Sequence, residues 1–473
     1  MFFDWTPRAA AWIITALFAI AVSASIFRIP IQVSDSVEIL EGVDRAPSVA
    51  VAFAQGLHAS KTMLRPMRQV GTRLLLDIAH ATGDRYNLVF RGFHAVAAAL
   101  LIALFTQIAR PRDWSGAAAL CFAMLVLTGL HTFGGMTREA YPINHFLLIA
   151  IYCLAAFAIA ESRGGLVADV VACLLFVIAS LTLESGLVVF GVALAAYLAG
   201  LRGISRGALI AMAIVAAGYV ILRVPLLHMT GNVVGERQTG YGTEMLTTSE
   251  LRARFGDMSW LLYGYTILCS FLTVPLSQPV AGQWTAFAAW DPQAPPLFFL
   301  NDMGTSLVTT AVVVWYLSRR RPPDGRRRWR DPAPLAMIAM LLGSAVLSYA
   351  YAKSEIMSAA GVFYALVVYL AVRELVEVLI TKAQPSLRVV VVLAIAFVST
   401  AWAWRAMGLQ YRLQRGAFEA RSEWVLRMPP FSPPPVQPAD ARLTPRLLDE
   451  AMHRGRTNPF LLWPPYARLW GEN

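Results

Sequence analysis

The sequence predicts an all-α polytopic membrane protein: a bundle of about 11–12 transmembrane helices with a long first outer loop carrying amphipathic interfacial helices. Three observations predict it. Hydrophobic residues make up 57% of the 473 residues and charged ones only 15%, far from the balance of a soluble domain. Apolar runs of bilayer-spanning length recur from end to end. Basic residues between those runs fall on one side when the runs are threaded in order, as the positive-inside rule requires.

The spans read as 10–27, 91–109, 115–132, 143–160, 166–183, 186–200, 207–225, 303–318, 334–352, 359–380 and 386–404. Arg8, the apolar run behind it and the small residues Val22-Ser23-Ala24-Ser25 have the form of a cleaved signal peptide. The run from Ala9 to Phe27 is long for that role, so it is read as a retained helix. With the N-terminus in the cytoplasm, Arg110, Arg112, Arg163, Arg202, Arg206, the arginine-rich loop 319–330, Lys382 and Arg388 all fall inside. One segment, 259–275, breaks the alternation, because as a simple span it would put the arginine-rich loop outside. It is therefore re-entrant or interfacial, or it pairs with a second crossing near 284–300. Pro275, Pro279, Pro292, Pro295 and Pro296 point to broken structure there.

The chain thus divides into a transmembrane domain over 1–404, with long outer loops at 28–90 and 226–302, and a Pro-rich outer-face tail over 405–473. In the first loop, Leu64, Met67, Val70, Leu74 and Ile78 recur at helical spacing, opposed by Arg65, Arg68 and Arg73. That pattern predicts an amphipathic helix on the membrane, with Pro66 in its first turn and its basic face open to anionic headgroups or phosphate. The tail carries Pro429-Pro430 and Pro433-Pro434-Pro435, an extended spacer, and then the interfacial aromatics Trp463, Tyr466 and Trp470.

Composition also excludes functions. The net charge of +11 lies largely in short loops, where it sets orientation, so it is no footprint of nucleic-acid binding. Cys121, Cys153, Cys173 and Cys269 fall inside apolar segments with neither disulfide nor metal-ligand spacing. No P-loop is present.

The informative charges gather on the outer side. Asp35 and Glu38 follow the first span and, three apart, share a face if that stretch is helical. Glu184 sits in a tight hairpin at the outer boundary, as a helix cap or a working carboxylate. His131, Arg138 and Glu139 occupy another outer hairpin, where a local salt bridge would equally explain them. Arg223 is near the outer end of its helix, snorkelling or binding a phosphate. Lys353 and Glu355 share an outer turn, as would a simple ion pair. His94 opens the second span, where a lone histidine is more often a satisfied boundary residue. Carboxylates beside several cations suit transfer from a phosphate-bearing lipid, the cations stabilising the departing phosphate and a carboxylate activating the acceptor.

This order of features resembles the GT-C superfamily of integral-membrane glycosyltransferases, which use polyprenyl-phosphate-linked sugars. Those enzymes keep a carboxylate in the first outer loop directly after the first span, as Asp35 stands here. The closer resemblance is to the membrane half of tetratricopeptide-containing O-mannosyltransferase-like proteins. It is carried by Arg65-Pro66-Met67, by Asn87 to His94, by Leu183-Glu184-Ser185-Gly186-Leu187, by the hairpin from His131 to Glu139 and by the segment from Tyr263 to Pro275. A serine flanks Asp35 on each side, where that group has a paired acidic motif.

The resemblance implies a GT-C-like bundle with Asp35 as catalytic base and with Glu184 and Arg65 near the donor or acceptor. Arg138, Arg223 or Lys353 would clamp the phosphate, with Glu139 beside them and Glu38, His94 and His131 as accessory residues. An aspartate of ordinary pKa, about 4, is ionised at neutral pH and can take a proton late in the reaction. Asp35 with Glu139 or Glu184 offers oxygen ligands to a divalent metal (Mg or Mn), and oxygen-only sites leave no spacing signature. The expected partners are a polyprenyl-phosphate-linked sugar, membrane lipids and a glycan, lipid or protein acceptor, with no nucleic acid. A transporter or flippase, a polymerase or ligase of lipid-linked saccharides, and an assembly scaffold are the competing classes. Arginine far outnumbers lysine and alanine is abundant, which points to a bacterial inner membrane with the tail on its outer face.

Overall fold

The computed structural model of the chain describes residues 6–29, 34–58, 64–138, 143–223, 239–241, 244–246, 248–277, 296–320, 325, 327–349, 354–382 and 384–427. Apart from an antiparallel pair of three-residue strands, Thr239–Tyr241 with Glu244–Leu246, the described elements are helices. The first five are α1 (Pro7–Arg28), α2 (Ser34–Asp44), α3 (Val49–His58), α4 (Pro66–Ala81) and α5 (Tyr86–Ala109). Next come α6 (Trp114–Gly129), α7 (His131–Arg138), α8 (His145–Ala160), α9 (Leu166–Thr182), a 3-10 turn (Glu184–Leu187), α10 (Val188–Leu198) and α11 (Arg206–Ile221). The second half holds α12 (Thr248–Phe255), α13 (Ser259–Thr273), α14 (Pro296–Ser318), α15 (Pro332–Leu347), α16 (Ser358–Lys382) and α17 (Pro385–Arg427).

The protein is an all-α polytopic membrane protein. Among the described residues, Pro7–Arg28, Tyr86–Ala109 and Ser386–Gln414 are each long and apolar enough to cross a bilayer. The pair α6 and α7, bent by 71°, adds a fourth if it counts as one span, and shorter apolar helices pack among these. Leu17, Ile20, Val96, Leu166, Val167 and Phe397 stay exposed on the outside of the bundle, where lipid rather than water is the solvent. In the centre, α16 packs on α6, α8 and α15, and Phe157 meets Phe363 edge to face at 5.6 Å.

Local chemistry starts the helices where the chain turns back into the bundle. Thr6, Asp113, Asn144 and Ser205 each accept a hydrogen bond from a first-turn amide of α1, α6, α8 and α11, satisfying donors that have no partner within the helix. Pro7, Pro66 and Pro332 take first-turn positions, where the missing N–H costs nothing.

Long-range ties sort the helix ends onto two faces. On one, Glu161 pairs with Arg110 at 3.0 Å and Arg373 with Asp113 at 2.9 Å, while Glu374 takes both Arg319 and Arg328 at 2.8 Å. Three of the loop arginines that looked purely topological, Arg110, Arg319 and Arg328, are therefore ion-paired. On the other face, here called outer, Arg91 reaches the end of α1, the Ser358 hydroxyl donates to the Thr132 carbonyl at 2.8 Å, and Ser25 donates to Gln410 at 2.7 Å.

Several boundaries differ from expectation for one reason: hydropathy treats a polar residue as an exit from the bilayer, whereas protein can bury it. The span expected at 91–109 begins at Tyr86, with Asn87 and Arg91 buried. The one expected at 303–318 begins at Pro296 and contains buried Asp302, and the one expected at 386–404 continues through buried Arg405 to Arg427. The Pro-rich part of the tail lies outside the described residues. The segment at 259–275 is unbroken helix through Thr273. Tyr263 packs against Tyr349 at the outer end of α15, and beyond the helix Ser277 accepts the His131 N–H.

Candidate active site

The outer site is built on the turn between α9 and α10. Gly186 lets the 3-10 turn fold tightly onto the end of α9: a Cβ there would strike the Ala179 carbonyl and come within 2.6 Å of the Ser180 nitrogen. The turn presents Glu184 to two arginines. Arg65, just before α4, donates through Nε (3.1 Å) and Nη2 (2.9 Å) to Glu184 Oε2. Arg223, just beyond α11, approaches the other carboxylate oxygen at 3.7 Å. Below them Leu64 and Tyr219 are buried, with Leu57, Leu181, Leu187 and Leu222 packed round them as an apolar floor.

Two cations approach one carboxylate, and all three side chains remain 15–21% exposed. Burial alone would raise the Glu184 carboxyl, but Arg65 and then Arg223 outweigh it and hold it below its ordinary value. A guanidinium has five N–H donors. The two contacts of Arg65 use Nε and Nη2, which leaves Nη1 for an anion. The arrangement can grip a phosphate while its own carboxylate stays ionised.

Arginines also hold the helix that carries Asp35. Arg91, buried in α5, donates to the Phe27 carbonyl at 2.8 Å and to that of Ile26 at 3.2 Å, closing the end of α1. Arg73 of α4 donates to the carbonyls of Val43, Asp44 and Ala46, at and just past the end of α2, and to Asp77 at 2.9 Å. A cation suits a helix C-terminus, where unpaired carbonyls concentrate partial negative charge. Asp35 and Glu38 lie in α2 between these two anchors, and their side chains are outside the described residues.

The basic face expected to lie open on the membrane is turned the other way. Arg68 is buried, Arg65 and Arg73 are engaged with protein groups, and Leu74 and Ile78 are the exposed large apolar residues of α4. In an interface whose outer solvent is lipid, the apolar side of the helix faces out and the arginines face in.

The remaining expected residues separate into two groups. Arg138, half exposed at the end of α7, lies 3.9 Å from Glu355. Glu139 and Lys353 are outside the described residues. His94 is buried and its Nε2 donates to the Met136 carbonyl at 2.6 Å, tying α5 to α7, while its Nδ1 has no hydrogen-bond partner among the described residues. His131 faces Asp302 of α14, at 3.8 Å, rather than the Glu184 cluster.

Asp302 and its partner Arg405 were not among the expected residues. Arg405 lies 3.4 Å from Asp302 and donates to the Gly129 carbonyl (3.1 Å), the Asp302 carbonyl (2.7 Å), Thr305 (3.0 Å), Ser306 (2.8 Å) and the Ser277 carbonyl. One signal was in the sequence. Asp302, Thr305, Ser306 and Thr309 make a polar stripe at helical spacing inside an apolar helix, which marks a face packed against protein.

Among the described residues, no three His, Cys, Asp or Glu side chains come together as metal ligands. Asp35 and Glu139, two of the carboxylates offered for one, are outside the described side chains.

No protein family and no curated protein sequence matches the chain. Among solved structures it is similar to ArnT from Cupriavidus metallidurans bound to undecaprenyl phosphate, at 14% identity and a TM-score of 0.46, over 93% of this chain and 85% of that one.

Proposed function

We propose that the protein is a membrane glycosyltransferase of GT-C type that moves a sugar from a polyprenyl-phosphate-linked donor to a glycan, lipid or protein acceptor at the outer face of a bacterial inner membrane. The observation that carries this reading is the pair of arginines, Arg65 and Arg223, on one buried-edge carboxylate, with a spare guanidinium amine at the membrane boundary. The donor's phosphate is the group such a cluster recognises.

In this reading the acceptor hydroxyl oxygen attacks the anomeric carbon. The bond from that carbon to the phosphate oxygen breaks, and its electron pair stays on the phosphate, which Arg65 and Arg223 stabilise. The hydroxyl proton passes to the Asp35 carboxylate. A phosphate leaves as an anion and needs no general acid, so one base and a cationic clamp suffice. Glu184 keeps the two guanidinium groups, which repel one another, pointed at one place. Arg138 with Glu355 is a second outer ion pair, available to the acceptor.

The test is Asp35→Asn in reconstituted membranes supplied with a polyprenyl-phosphate sugar. Loss of general-base action is expected to lower turnover roughly 10²–10⁴-fold while binding of the lipid donor is retained. Unchanged transfer by this variant would remove Asp35 from the chemistry. Movement of intact donor across the bilayer, with no sugar transferred by the unaltered protein, would favour the flippase class.

A further inference from the structure

The opposite face of the bundle holds a different feature. The start of α1 lies against the end of α5, about 33 Å along α1 from the outer ends that Arg91 ties together. A hydrocarbon core is about 30 Å thick, so this corner sits at the other membrane interface. Between the two helix ends is a cavity of about 320 Å³ lined by Arg8, Trp12, Gln107, Arg110, Pro111 and Arg112, among others.

Three arginines converge on it, and they are not equivalent to their neighbours. Arg319, Arg328 and Arg373 on this face are held by Glu374, Asp331, Asp113 and Glu377. Arg110 pairs with Glu161. Among the described residues, no carboxylate pairs with Arg8 or Arg112. Next to Arg112 in sequence, Asp113 is taken by Ser115, by the Gly116 amide and by Arg373. Arg110 has a further peculiarity. It closes α5 in the left-handed conformation, at φ 49°, where glycine is the usual residue. An arginine there carries a steric penalty that a glycine would avoid, and it puts a guanidinium at the cavity. Trp12, half exposed beside it, is a residue suited to the headgroup level of a bilayer.

We infer that this cavity binds the phosphate of an anionic phospholipid headgroup in the leaflet opposite the proposed transfer site. A basic recess between helix ends at an interface matches such a headgroup in charge and in depth. The chemistry recognised is a phosphate bearing negative charge, and a soluble phosphate shares it, so the test must separate the two sources. The inference does not depend on the transfer reaction.

The full-length protein is reconstituted into nanodiscs of phosphatidylcholine with graded phosphatidylglycerol, and bound lipid is counted by native mass spectrometry after release into detergent. Phosphatidylglycerol should be retained in preference to phosphatidylcholine. The double variant Arg8→Gln with Arg112→Gln should weaken retention roughly 30-fold, the expectation for two basic groups at a membrane surface. Arg8→Lys with Arg112→Lys should restore most of it, which separates charge recognition from a folding defect. Arg206→Gln, exposed at the start of α11 and outside the cavity lining, should leave retention unchanged. Equal retention of both lipids, or retention insensitive to the double glutamine variant, overturns the site. Displacement of the lipid by millimolar inorganic phosphate alone overturns the lipid assignment in favour of a soluble phosphate.

Discussion

Two ionic clusters stand in the outer half of this protein, and they are built for opposite purposes. Arg65, Glu184 and Arg223 meet with 15–21% of each side chain accessible and with donor capacity left over. Arg405 and Asp302, with His131 alongside, are enclosed, at 1% and 6% accessibility for the ion pair. Arg405 spends its donors on carbonyls and hydroxyls from three parts of the chain, the end of α6, the stretch beyond α13, and α14, all gathered by α17. Its guanidinium also lies over the Trp402 ring at 4.7 Å. The same pair of residue types therefore forms an open cluster at the protein's edge in one place and a structural clamp, saturated with acceptors, in the other. Saturation, not charge, separates the two.

The largest expected effect tests the clamp. Arg405→Met should cost about 3–5 kcal/mol, because it strands Asp302 in a buried setting. Thermal unfolding of the detergent-solubilised variant measures this. A variant as stable as the parent would mean that the enclosed cluster is not a clamp and would erase the contrast.

Arg65→Gln comes next and should reverse the profile. Sugar transfer is expected to fall about 10²-fold, as when one donor to a developing anion is removed, while stability falls by about 1–2 kcal/mol. Arg223→Gln should do the same more weakly, since its approach to Glu184 is longer. Steady-state rates read beside melting curves distinguish the cases. Equal damage to rate and stability in Arg65→Gln and Arg405→Met would merge the two clusters into one structural class.

The smallest effect is a pH dependence. Glu184 is held below its ordinary value in the folded protein. Its ion pair therefore contributes stability that is present above the unfolded glutamate pKa, about 4.3, and is lost as pH falls through the lower folded value. The stability gap between the parent and Glu184→Gln should close on acidification through that window. A gap that is constant with pH would mean that the arginines do not act on Glu184 as a charge.

How much of this was legible differs between the clusters in an instructive way. Glu184 and Arg223 stand where short apolar runs end, so a hydropathy reading exposes them as boundary charges, and Arg65 opens a helix marked by Pro66. Asp302 and Arg405 each stand one residue outside an expected span, at 303–318 and 386–404, and so fall within the ranges read as the outer loop 226–302 and the tail 405–473. The reading assumed that charge means water. Arg73 and Arg91 were lost for a related reason: an arginine that closes another helix's carbonyls leaves no periodic trace near its partner, which is 27 to 65 residues away. The amphipathic pattern of α4 was correctly periodic, yet periodicity cannot say which face meets protein and which meets lipid.

The sequence by itself determined the class of the protein and the order of its helices, because apolar runs of spanning length and the loops between them are local facts. Tertiary structure alone decided which charges are spent and which are spare. A guanidinium's worth depends on how many acceptors surround it, and those acceptors arrive from helices that are neighbours in space and strangers in the chain.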